Sequence, residues 1–431
     1  MFDYIRRIST GRFARDVTTL TVGTAAGYGL MIISSPIITR LYSPEDIGKM
    51  GLLLAFLAVA AAVASLSYHL AIVGAENDSE AAHLVVASVA FVVLSSFVGA
   101  LVLYLLINYS ILGYNALPEW AAFSIFPLIL ITGLFLTFRY WFIREREFPL
   151  IAKIVILQNG GRAVSQIAFG PAQLGWLGLW FGELIGRGIG LLKMFRESRK
   201  KLSGLIHPFH MENLTAALKR NRKFPLLTAP SSFISYLALN MPPMIIAQLH
   251  GIAPAGFFFL VQRVVKIPLV FVGHSIADVN FRKMATLIKE EPQRLPGFFF
   301  KVALMLLIIG FFPAAILILA GPFLFGLAFG QAWEISGDLA AIMAPWALCQ
   351  FVSGSLNNIV FVIRRQELTL IFDVLSISGI ALTYFVSMTY GLTLVQTVAV
   401  LSGCQVAAYI VLFLILSLAI LVHRQRSNSA K

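Results

Sequence analysis

The sequence predicts an all-α polytopic membrane protein of about twelve transmembrane helices, and three observations predict it. The first is composition. Of 431 residues, 58% are hydrophobic and 12% charged, with a mean hydropathy of +0.85, whereas soluble domains carry about 25% charged residues. The second is segment length. Apolar stretches of roughly 20 residues recur along the chain, the length needed to cross a hydrocarbon core about 30 Å thick at about 1.5 Å per helical residue. The third is the placement of positive charge. Of the 33 Lys and Arg, 25 fall in every second gap: Arg6 to Arg15, Arg139 to Arg146, Lys193 to Lys223, Arg282 to Arg294, Arg364 with Arg365, and Arg424 to Lys431. The intervening gaps carry only Arg40 and Lys49. Because Lys and Arg mark the cytoplasmic side, the expectation is a multi-pass inner (plasma) membrane protein with both termini cytoplasmic.

The spans are expected near 17–39, 47–67, 82–106, 120–142, 150–170 and 175–195, and then near 225–248, 253–277, 298–320, 338–362, 368–388 and 394–422. Between the two sets lies the longest and most basic loop. This predicts an N-terminal six-helix bundle over 1–195, a basic cytoplasmic linker over 196–223 and a C-terminal six-helix bundle over 224–431. At an offset of 208 residues Ile37, Ile38, Leu41 and Gly48 meet Ile245, Ile246, Leu249 and Gly256, a faint internal repeat of the kind transporter folds carry. After the first span, Ser43, Pro44, Glu45 and Asp46 read as a helix start: Ser is a good N-cap, Pro fits the first turn, and acids suit a helix N-terminus.

Several function classes are disfavoured. The net charge of +13 could suggest nucleic acid, but most of it lies beside apolar spans, where orientation and anionic headgroups account for it. Cys349 and Cys404 sit inside apolar segments and read as packing residues. The arginine-rich start leads into a full-length span with no convincing cleavage site. No metal signature, phosphate loop or nucleophile elbow occurs, so no metal and no cofactor are expected. A glycosyltransferase or polymerase facing outward would need carboxylates in its outer loops, yet the largest of these hold only Glu119 and Glu334 as acids.

The informative residues are polar ones inside the spans, where a charge costs on the order of 3 kcal/mol or more. In the fifth span Gln158, Asn159, Arg162 and Gln166 share one helical face. In the sixth, Glu183 precedes Arg187 by four residues, beside Gly178, Gly182, Gly186 and Gly190, a pattern that permits close helix approach. This pair is expected to be structural or gating. The eighth span holds Gln262, Arg263 and Lys266 on one face, and the tenth carries Asn357 and Asn358 in a polar stripe. No carboxylate lies within helical reach of Arg162, Arg263 or Lys266 on their own helices. Three unpaired cations inside a bundle would call for an anionic guest.

These residues carry a resemblance that runs from about Val17 to Glu290. It is most specific at Arg40, Leu41, Tyr42, Ser43, Pro44, Glu45, Asp46, Ile47 and Gly48, with Ser65 to Ile72 and Glu76 to Ala81 after them. It continues around Arg144 to Ala152, leading to Gln158. It then covers Lys223, Phe224, Pro225, Ala229, Pro230, Ser231, Pro242, Pro243, Ala255, Gly256, Phe257, Gln262, Arg263, Val264 and Pro268. In these motifs the chain resembles the polysaccharide-biosynthesis, O-antigen-type lipid-linked oligosaccharide flippases of the multidrug, oligosaccharidyl-lipid and polysaccharide exporter superfamily. It departs at Ser67, Tyr68 and His69, where the family shows an Arg and a Glu flanking the Tyr, so no local ion pair is expected there.

The resemblance implies two six-helix bundles with pseudo-two-fold symmetry about an axis normal to the membrane, enclosing a cavity that opens alternately to each side. It implies a flippase, not an enzyme, moving undecaprenyl-diphosphate-linked oligosaccharide repeat units across the bacterial inner membrane. Partners would be that cargo, membrane lipids, a polysaccharide polymerase and a chain-length regulator, with no nucleic acid. Arg162, Arg263 and Lys266 suit the pyrophosphate; Gln158, Asn159, Gln166, Gln262, Asn357 and Asn358 suit sugar hydroxyls. The alternatives are an ion-coupled multidrug exporter of the same superfamily, which would want acidic cavity residues, and a membrane glycosyltransferase or polymerase.

Overall fold

A computed structural model describes residues 2–206, 211–266, 280, 283–284, 286–288, 290–363, 365 and 367–429. Among them the regular structure is entirely helical. The chain runs α1 (Phe2–Leu41), α2 (Pro44–Val63), α3 (Tyr68–Gly74), α4 (Asp78–Asn108), α5 (Ala121–Arg144), α6 (Phe148–Phe169), α7 (Trp176–Ile206), α8 (Met211–Arg220), α9 (Ala229–His250) and α10 (Ile252–Val261). It continues through α11 (Leu295–Phe329), α12 (Glu334–Leu356), α13 (Ile359–Val362), α14 (Glu367–Tyr390) and α15 (Leu394–Ser429).

Nine described segments are long and apolar enough to cross a membrane. The helices α6 and α7 are long enough too, at 22 and 31 residues, but carry the polar stripes that lower their hydropathy. The helix α10 begins the span expected over 253–277, of which the part beyond residue 266 lies outside the described residues. The apolar faces are on the outside: Leu94, Phe97 and Leu101 of α4 and Leu304, Ile308, Phe312 and Leu319 of α11 are all exposed. An apolar exterior this extensive suits lipid, not water.

Compactness divides the chain into Met1–Ala253 and Pro254–Lys431. The division falls beyond the basic linker at 196–223, because α9 lies along α2 and belongs with the first unit. In that unit α1 packs on α6, α6 on α7, and α4 on α5. In the second, α12 packs on α11 and α15, and α14 on α15.

Two corners fix the first unit. The turn after α1 forms a capping box: Ser43 Oγ accepts from the Asp46 N–H at 3.1 Å, and Asp46 Oδ2 accepts from the Ser43 N–H at 3.2 Å. Beside it the Tyr42 hydroxyl donates to the Gln166 carbonyl at 2.7 Å. Burial, helped by the Asp46 charge, pushes its ionisation up to about 12, so it remains a donor. At the other end, part of the basic linker is the short helix α8, docked on the acidic start of α4. Arg220 pairs with Glu76 and Glu80, and Asn221 donates to Glu80 Oε1 at 3.1 Å. Arg144 meets Asp78 at 2.9 Å and caps the carbonyls of Ile72 and Ala75.

Between α2 and α3 the chain turns through Leu66 and Ser67 at φ of 51° and 61°, strained for residues with a Cβ. No ion pair forms in this turn among the described residues; His69 hydrogen-bonds Ser65 and packs on Tyr140.

Candidate functional site

The helices α6 and α7 approach closely because α7 presents Gly178, Gly182, Gly186 and Gly190 to α6. A Cβ on Gly186 would lie 2.6 Å from the Arg162 Cβ and 2.7 Å from the Gln158 carbonyl oxygen. Side chains on Gly182 and Gly190 would collide with Gln166 and Gln158. At this spacing Glu183, only 1% exposed, reaches across to Arg162, whose Nη1 donates to both carboxylate oxygens at 2.9 and 3.1 Å. Arg187, one turn along α7, donates to the same Oε1 at 2.6 Å through Nε and to Thr132 Oγ1 at 3.0 Å through Nη1. Arg162 also donates through Nη2 to Asn159 Oδ1.

The expectation that Arg162 stands unpaired is therefore corrected. Its partner lies on the next helix, out of reach of any argument from spacing along one helix. The expected pair of Glu183 with Arg187 is present as part of this triad.

Above the triad lies a cavity of 220 Å³ among α1, α5, α6 and α7. A single water needs only about 10–15 Å³ of such volume, so the space suits a larger group. It is lined by Arg139, Arg162 and Arg187, with Gln158, Asn159 and Thr132 among its polar residues. The Nε atoms of Arg139 and Arg162 are buried and make no hydrogen bond. Three guanidinium groups line the cavity and Glu183, outside the lining, pairs with two of them, so the cavity wall itself is cationic.

Gln166 does not line this cavity. Its amide donates to the Leu179 carbonyl at 3.1 Å and its backbone holds Tyr42, so it fastens α6 to its neighbours. Gln158 donates weakly to the Arg187 carbonyl at 3.4 Å. Arg139 was missed because it was grouped with the cytoplasmic loop charges. Yet it lies inside the expected span 120–142, a signal that could have found it.

In the second unit, Gln262 and Arg263 occupy a π-helical turn, Gln262–Lys266, that continues α10. Such turns occur often at functional sites. The Gln262 Nε2 is buried without a hydrogen bond, as is Oδ1 of Asn357 at the end of α12. Asn358, half-buried, follows it at the start of α13. The side chain of Lys266 lies outside the described residues. On the other side of the turn is a 390 Å³ cavity whose lining includes Val264, Val265, Ile309, Pro313, Ala344 and Phe351. These residues are apolar, and none of the polar candidates lines it.

Comparison with solved structures agrees on the all-helical membrane fold. An inward-facing multidrug resistance transporter of the multidrug, oligosaccharidyl-lipid and polysaccharide exporter superfamily superposes with a TM-score of 0.66 at 15% identity, over 93% of this chain and 95% of that one. The lipid II flippase MurJ superposes at 0.70 and 13% identity, over 94% and 90%. A superfamily transporter from Pyrococcus furiosus gives 0.61 at 14%, over 95% and 96%.

Residues 37–337 match the family described as polysaccharide biosynthesis protein, and the chain belongs to that family. A curated relative is the lipopolysaccharide biosynthesis protein WzxC of Escherichia coli strain K12, 23% identical over 193 residues. That match spans 42% of this chain and 39% of the relative.

Proposed function

We propose that the chain is a flippase that carries undecaprenyl-diphosphate-linked oligosaccharide repeat units from the cytoplasmic to the periplasmic leaflet of the bacterial inner membrane. Alternating access to a cationic cavity would move the cargo, with the linker 196–223 joining an N-terminal to a C-terminal bundle. The carrying observation is the surplus of arginine in the cavity of the first unit, which suits a diphosphate. Arg162 supplies a guanidinium there, and Gln158 and Asn159 offer amides to sugar hydroxyls, while Gln166 holds the stripe in place. Arg263 and Lys266, with Gln262, Asn357 and Asn358, are the candidate cargo contacts of the second unit. Glu183 and Arg187 gate or brace them. The chemistry is passage, and no bond is made or broken. A polymerase and a chain-length regulator would take the product onward.

An ion-coupled exporter of cationic drugs would share the fold, but the excess positive charge opposes such cargo. The test is complementation of surface polysaccharide in a strain lacking the protein, with membrane levels of each variant measured in parallel. Arg263→Lys keeps the charge but loses the bidentate fork, so polysaccharide should fall partway; Arg263→Glu should abolish it. Lipid-linked repeat units should accumulate on the cytoplasmic face in the deletion strain. Full polysaccharide from Arg263→Glu at normal protein level would remove that residue from the site, and drug sensitivity without a polysaccharide defect would favour the exporter.

A further inference from the structure

We propose that Arg139, Arg162 and Arg187 form a diphosphate site within the first unit and that Glu183 is its built-in competitor, holding two of these arginines when no cargo is bound. The proposal rests on the flippase reading for the identity of the cargo, but its geometry belongs to the first unit alone.

Glu183 takes two contacts from Arg162 Nη1 and one from Arg187 Nε, charge-assisted donors of the kind that phosphate oxygens also engage. It is fully buried and unavailable to solvent. The open space lies on the other side of the same arginines, and Arg139 with Thr132 lines it from α5. On helical rise, Arg139 sits about 10 Å nearer the end of α5 at Arg144 than Thr132 does, the residue that Arg187 bonds. An anion entering from that end meets Arg139 before it reaches the triad. Its oxygens and the Glu183 carboxylate then compete for the same donors. Without Glu183, two guanidinium groups would be buried unpaired, which is strongly unfavourable. With it, the site stays assembled when empty and bound cargo is held less tightly, so release remains possible.

The test uses the purified full chain in lipid nanodiscs, with inorganic diphosphate as the probe, and reads both affinity and the diphosphate-induced rise in Tm. Glu183→Gln should melt lower than wild type without ligand, bind diphosphate at least tenfold tighter, and gain more in Tm from it, because stabilisation by a ligand grows with the logarithm of the ratio of its concentration to Kd. Arg139→Gln should bind diphosphate more weakly at an unchanged Tm in its absence. If Glu183→Gln cannot be obtained folded, Glu183→Asp retracts the carboxylate by one methylene and should tighten binding to an intermediate degree. A folded Glu183 variant that binds diphosphate no more tightly than wild type overturns the proposal. Transport of lipid-linked oligosaccharide in proteoliposomes is read separately. Failure there with tightened diphosphate binding would overturn the flippase reading and leave the competitor standing; transport without tightening would overturn only the competitor.

Discussion

Asp46 and Trp176, 130 positions apart, are joined by a hydrogen bond of 2.8 Å from the Trp176 N–H to Asp46 Oδ1. The other oxygen of the same carboxylate closes the capping box on Ser43. One side chain therefore starts two helices, α2 and α7. Gly175, at φ +56°, brings the chain so close that a Cβ there would lie 2.9 Å from Asp46 Oδ1.

Asp46→Ala should therefore lower stability by about 1–3 kcal/mol, losing a cap and leaving backbone donors unsatisfied. Thermal unfolding in detergent measures this. Transport should fall only as far as protein level does. Loss of transport at full protein level would give this carboxylate a direct role in passage.

The glycine seam offers a matched pair. At Gly186 a methyl group meets Arg162 and the Gln158 carbonyl, whereas at Gly188 nothing lies within 4 Å. Gly186→Ala should cost about 1–3 kcal/mol through overpacking. Gly188→Ala should be neutral or slightly stabilising, since Ala is the better helix former by about 1 kcal/mol. Equal melting temperatures for the two would mean that α6 and α7 are not in contact along this face.

Charge arithmetic orders the triad variants. Glu183→Gln leaves two partly buried cations without their anion and should destabilise by up to about 3 kcal/mol, the low end for a broken buried pair. Arg187→Gln leaves Glu183 with Arg162 and should be milder. The double change Glu183→Gln with Arg187→Gln reduces the buried charge to one and should recover much of the loss. Melting temperatures of the three purified variants give the order; a double variant destabilised by the sum of the two single changes would show that the charges act independently.

Topology is testable from the placement of Lys and Arg alone. Compartment-sensitive reporters fused after Leu117 or Gly330 should report periplasm, and after Ser203 or Met284 cytoplasm. A cytoplasmic signal at Gly330 would break the twelve-span arrangement.

Much of the fold was legible because lipid imposes simple rules on span length and on an apolar exterior. The cap at Ser43 was legible too, since capping is local in sequence. The second role of Asp46 was not, because its partner, Trp176, becomes a neighbour only after folding. The same limit explains Arg162. Its helix offers no acid at helical spacing, and its partner is set by the glycine seam of α7. Those glycines did announce close approach, but not which residues would face each other across it. Arg139 was hidden by its position near a span end, where a long side chain can reach either the headgroups or the interior.

The seam between α6 and α7 also bears on how the protein can move. Helices interlocked at glycine against side chains and backbone cannot slide without collision, so Arg162, Glu183 and Arg187 travel as one stiff beam. Any opening and closing must be taken up elsewhere, at less tightly keyed contacts or at turns such as Leu66–Ser67. Under the flippase reading these arginines would keep their mutual spacing while cargo passes, and only access to them would change.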